Sequence, residues 1–114
     1  MKTGVSFFSF AQDVDIRQAA AEAKKAGYDG IEPVLTDEGS LSMASNGRDL
    51  AEIRGIAEDL GLEIPSVGAW NLWSHNLAGD DPAETRAAMD IVKKQIDCAA
   101  ALGADTILVV PGWV

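Results

Sequence analysis

Two polar side chains in this chain sit where chemistry is done rather than where solvent is met. Glu32 closes the short run Gly30-Ile31-Glu32-Pro33. A carboxylate at such a strand end faces a pocket, or pairs with a nearby Lys or Arg to brace the rim. His75, the only histidine, lies in Trp70-Asn71-Leu72-Trp73-Ser74-His75-Asn76-Leu77, which also holds two of the three tryptophans. An imidazole there can ligate a metal or hydrogen-bond a sugar hydroxyl or phosphate; without a partner His or Cys it is more often a plain hydrogen-bonding residue. Phe8, in Phe8-Ser9-Phe10-Ala11-Gln12, and Trp113, in Pro111-Gly112-Trp113, offer apolar faces to a ligand. Phe8 can equally cap a barrel mouth, and Trp113 can equally be buried by a continuation of the chain. The expected substrate-binding set is therefore Phe8, Glu32, Trp73, His75 and Trp113, with no residue assigned as catalytic or as a metal ligand.

The elements that must position these groups announce themselves by repetition. Ala26-Gly27-Tyr28-Asp29-Gly30-Ile31, Leu60-Gly61-Leu62-Glu63-Ile64 and Leu102-Gly103-Ala104-Asp105-Thr106-Ile107 each place a glycine after an amphipathic stretch and a β-branched residue soon afterwards. A glycine with positive φ ends a helix cheaply. Asp13 can cap a first helix whose apolar positions are Ile16, Ala19, Ala20 and Ala23. Asn46 or Gly47 opens a second, striped by Leu50, Ile53, Ala57 and Leu60, with Gly55 costing about 1 kcal/mol of propensity. Asp81-Pro82-Ala83-Glu84 has the pattern of a capping box with proline at the first helical position, and Ile91, Ile96, Ala99 and Leu102 supply the buried side of that third helix. Strands are expected at 4–10, 31–35, 64–69 and 106–110. The last lacks polar alternation, as suits a strand covered on both faces.

The order βαβαβαβ implies a parallel sheet with helices outside it. No helix is expected after the fourth strand, so an apolar strand would be left with an open edge. The expectation for 1–114 is an α/β fold, a parallel half-barrel of four strands and three helices, forming the N-terminal half of a TIM barrel. It needs a missing C-terminal half, or a second copy in a homo-oligomer, to complete it. A flavodoxin-like doubly wound sheet is the rival; it would put a glycine-rich or acidic cluster after the first strand, where Ser9-Phe10-Ala11-Gln12 stands.

Composition sets the outer limits. Of 114 residues, 47% are hydrophobic, which suits a globular core. The one cysteine, Cys98, excludes a disulfide framework and a Cys-based zinc site, and reads as core. With 18 acidic against 9 basic residues the net charge is −9, which argues against a nucleic-acid partner. No apolar run is long enough for a membrane span and the start does not read as a signal peptide, so a cytoplasmic location is the default.

Taken together, the opening Lys2-Thr3-Gly4-Val5-Ser6, the turn from Ala26 to Glu32, and the run from Trp73-Ser74-His75-Asn76-Leu77 through Asp81-Pro82 to Val110-Pro111-Gly112 resemble the sugar-phosphate isomerases and epimerases of the xylose-isomerase-like barrel superfamily, which also holds apurinic endonucleases. The resemblance implies an eight-stranded barrel that binds a divalent metal (Mn, Mg or Zn) and moves a proton beside a ketose carbonyl through an enediol. The metal ligands and acid–base glutamates of such relatives come chiefly from later strands. By this resemblance only Glu32, His75 and the aromatic rim map onto the pocket, Pro33 stands where a hydrophobic residue is more usual, and the chain alone is expected to be inactive. The expected partner is a small sugar or sugar phosphate. Two other readings are an endonuclease-like zinc phosphodiesterase and a non-catalytic half-barrel assembly module.

Overall fold

The computed structural model describes residues 1–112. Three helices, α1 (Ile16–Lys25), α2 (Gly47–Asp59) and α3 (Pro82–Leu102), alternate with short strands β1 (Gly4–Ser6), β2 (Gly30–Glu32), β3 (Val34–Leu35), β4 (Ser66–Ala69) and β5 (Thr106–Ile107). Every strand pairing is parallel: β1 with β2, β3 with β4, and β4 with β5. β2 and β3 occupy one strand position, interrupted at Pro33, which has no N–H to give to a ladder. Both sides of the break face the same neighbour, since Ile31 N donates to Glu63 O and Gly68 N to Pro33 O, each at 2.9 Å. Four strand positions therefore lie in chain order. This is the half-barrel that the alternation predicts; a flavodoxin-like sheet would set β1 between its second and third strands.

The core lies between the strands and the helices. Ile31, Leu35, Val67 and Ala69 face Ala19, Ala20 and Ala23 of α1, Leu50 and Ile53 of α2, and Ala88, Cys98 and Ala99 of α3, all buried. Two polar side chains, Gln95 and Asn71, are essentially fully buried. Gln95 is fully buried, and its Nε2 donates to the carbonyl oxygens of Val67 (2.7 Å) and Leu108 (2.9 Å), clamping the end of β5 to β4.

Several expected details shift. Asp15, not Asp13, caps α1, because its carboxylate takes Gln18 N (2.8 Å) while Gln18 Oε1 takes Asp15 N (3.2 Å), closing a reciprocal box. Asn46, rather than Gly47, caps α2 in the same way with Asp49. Asp81 caps α3, but Glu84 does not complete the box; its Oε1 accepts from Asn76 N at 3.3 Å instead. The buried stripe of α3 runs Ala88, Ile91, Gln95, Cys98, Leu102, in steps of three and four that leave Ile96 on the flank, 51% exposed. The strands are shorter than expected. β1 gives way to a 3-10 turn at Phe7–Ser9, and β5 stops at Ile107 with one further ladder bond, Leu108 N to Val67 O (3.0 Å). The glycines of the repeat behave as predicted: Gly27, Gly61 and Gly103 have φ of 89°, 63° and 79°.

Candidate functional site

Residues paired in a parallel ladder point to the same side, and successive residues alternate. Ser6 stands beside Glu32, Val34 beside Gly68, so that Glu32 lies beside Ser66 two places back, and Ser66 beside Thr106. Ser6, Glu32, Ser66 and Thr106 thus form a polar row across four strand positions, on the face turned away from the helices. Their neighbours Ile31 and Val67 fill the helix side.

The Glu32 carboxylate is held in that row by hydroxyls. Oε1 accepts from Ser6 Oγ at 2.7 Å, and Oε2 accepts from Ser66 Oγ at 2.5 Å. The alternative of a rim-bracing pair with Lys or Arg is not realised: the ion pairs among the described residues are Lys2–Glu63, Arg17–Glu52, Arg54–Glu58 and Lys93–Asp90. A carboxylate has about four acceptor sites, so two hydroxyls leave capacity for a ligand.

One row nearer the strands' carboxyl ends, Gly68 leaves room for the groups around it. A Cβ there would stand 3.2 Å from Phe8 Cε2, 3.3 Å from Val34 Cγ2 and 3.4 Å from Glu32 Oε1. The next residue on this face is Trp70, whose ring lies 5.4 Å from that of Phe8 at an interplanar angle of 43°. Phe8 and Trp70 are 37% and 48% exposed. They border a cleft of about 600 Å³ at the strands' carboxyl ends, lined also by Phe10, Asp13, Thr36 and Glu38. Phe7, which also lines it, stacks on Phe10, centroids 6.1 Å apart.

The structure therefore brings Phe8 to a cleft, whereas Glu32 does not line it but stands within contact distance of the same Gly68 that Phe8 approaches. Trp73 and His75 belong to the loop after β4 and do not line this cleft. Trp73 ends a 3-10 turn and is about half exposed. His75 is half-buried, and its neighbour Asn76 is tied down on three counts. Asn76 N donates to Glu84, Asn76 Oδ1 accepts from Ala78 N (2.9 Å), and Gly112 packs so closely against Asn76 that a Cβ would overlap its side-chain oxygen. Ala78 N also donates to Pro111 O (3.0 Å), so the loop after β4 is laced to the chain after β5. The expectation for Trp113 falls outside the described residues. Trp70 is the residue that sequence reading left out of the set. The alternation Ser66, Gly68, Trp70 was the available signal, since it puts all three on one side of a strand.

Among the described residues no three of His, Cys, Asp and Glu converge as a metal site. No helix among them is long and apolar enough to cross a membrane.

The profile of the xylose isomerase-like TIM barrel matches residues 20–114. No curated protein sequence matches the chain. Among solved structures, a D-psicose 3-epimerase crystallised in the presence of D-fructose superposes with a TM-score of 0.75 at 23% identity, over 94% of this chain and 36% of that one. A D-psicose 3-epimerase from Clostridium cellulolyticum H10, with D-tagatose, gives 0.76 at 19%, with the same coverage of 94% and 36%. A 3-keto-D-glucoside 4-epimerase from E. coli gives 0.69 at 16%, over 96% and 37%. At these identities the likeness is one of fold. The chain spans little more than a third of the length of the solved structures it matches.

Proposed function

The chain belongs to the xylose isomerase-like TIM barrel family, and from that premise we propose that it forms the first strands of a sugar isomerase or epimerase barrel, contributing the substrate-holding side of the pocket. The observation that carries the reading is the Glu32 carboxylate, fixed between Ser6 and Ser66 and closing on the same Gly68 that the cleft-lining ring of Phe8 approaches. In parallel α/β barrels ligands bind at the carboxyl ends of the strands, where this cleft lies.

In this reading the two rings pack on the C–H face of a sugar. Glu32 accepts a hydrogen bond from a sugar hydroxyl, and Ser6 and Ser66 hold its carboxylate oriented. The reaction is proton transfer beside a ketose carbonyl through an enediol, with the acid–base carboxylates supplied by other strands of the barrel. A divalent metal would polarise the substrate oxygens. The described residues do not fit such an ion by themselves. The same reading includes a cytoplasmic setting and a further set of strands, from the same chain or a second copy, along the free side of β5.

The test is turnover. The full-length protein, assayed on ketoses and ketose phosphates with Mn²⁺ or Mg²⁺, is expected to interconvert epimers or isomers. Glu32→Gln should lower kcat/KM about tenfold while the circular dichroism spectrum stays unchanged. Absence of turnover on every ketose offered overturns the proposal.

A further inference from the structure

The charges around the cleft narrow the substrate class. Its acidic lining residues are Asp13, Asp15 and Glu38, all exposed, and among the described residues no Lys, Arg or His lines it. The helix α1 opens onto the cleft at Asp15 and Ile16, and a helix N-terminus is where backbone amides would otherwise welcome a phosphate. Three of its first four amides are already engaged. Gln18 N donates to the Asp15 carboxylate (2.8 Å), Ile16 N to Ser40 Oγ (3.2 Å) and Ala19 N to Asp15 O (3.0 Å). A dianion entering here would meet carboxylates and no free cation, whereas an uncharged sugar would meet the Phe8 and Trp70 rings and polar groups able to bond its hydroxyls.

We propose that this cleft takes an uncharged sugar and excludes sugar phosphates, with Asp13 and Glu38 as the discriminating charges. This rests on the sugar-binding reading above and assigns its substrate class. The carboxylates are exposed, so their field is screened by salt and the discrimination is on the order of tenfold in affinity at low ionic strength.

Calorimetric titration of the full-length protein with D-fructose, D-psicose and D-tagatose, and with the 6-phosphate of each, tests it. At low salt the best free ketose is expected to bind about tenfold or more tightly than its phosphate. The ratio should shrink several-fold in 0.5 M NaCl and in the double variant Asp13→Asn/Glu38→Gln, whose altered side chains are both exposed. Equal or tighter binding of the phosphates, with the free sugars still bound, overturns the inference and leaves the sugar reading standing. So does a preference that neither salt nor the double variant changes. Binding of none of the six overturns both.

Discussion

The two faces of the same strands are built on opposite principles. Toward the helices stand Ile31, Leu35, Val67 and Ala69, none more than 2% exposed. Toward the barrel axis stand Ser6, Glu32, Ser66 and Thr106, hydroxyl-bearing or charged and only partly covered. A single step along the backbone separates them, because side chains alternate across a strand. The helix-facing side carries the burial that stabilises the fold. The axis-facing side gives up apolar burial at these four positions for polar groups, while Val34 in the next row stays buried. Gln95 marks the boundary, a buried amide that works entirely for the first face by holding two carbonyls of β4 and β5.

The contrast breaks most visibly at its apolar side. Leu35→Ala should cost roughly 2–5 kcal/mol, from lost transfer energy and the cavity left behind. A urea midpoint little different from that of the parent would mean that the helix-facing layer is not the stabilising one. Gln95→Leu comes next. It leaves the carbonyls of Val67 and Leu108 short of a buried donor, for a loss of about 1–3 kcal/mol, and faster amide exchange at Leu108 should localise the damage.

On the other face the order of effects reverses. Trp70→Ala should cost about 1 kcal/mol or less in stability, since the ring is half exposed and mainly loses its contact with Phe8, yet sugar affinity should fall several-fold by calorimetry. Equal losses in both quantities would erase the division between the faces.

The smallest effect sharpens the picture through pH. Burial raises the Cys98 thiol above its ordinary range, with Lys94 nearby acting in the opposite sense. The folded state therefore keeps its proton after the unfolded chain has released one, from about pH 8.5 upward. Unfolding is then favoured progressively as pH rises toward the folded-state value, and the contribution is fully present below the unfolded one. Cys98→Ala should flatten that alkaline decline. Lys2, raised by its hydrogen bond to Glu63, acts in the same direction but is solvent-exposed and adds little.

Much of the fold was legible before any coordinates. Gly27, Gly61 and Gly103 mark helix ends because a left-handed backbone there strongly favours residues without a Cβ. Helix stripes follow from 3.6-residue periodicity, and they located the three helices to within a few residues. Strand ends were less legible. Phe7–Ser9 looks as β-prone as the residues before it, and Thr106–Val110 reads as one run, but a strand lasts only where a neighbour completes its ladder. The α1 cap moved from Asp13 to Asp15 because a reciprocal bond with Gln18 outweighed the first acid in the sequence.

The sequence by itself determined the alternation of helix and strand, the apolar helix-facing side and the acidic character of the whole. Those are local or summed properties, carried by each residue and its near neighbours. Only the tertiary structure decided that Glu32 is held by Ser6 and Ser66, that Trp70 rather than Trp73 meets Phe8, and that His75 lies on a loop laced to Pro111 and Gly112. Each of these joins positions 26 to 62 residues apart, or one tryptophan as against another three residues away. Strand register alone sets such distances, and register is a property of how segments lie side by side, not of any one segment.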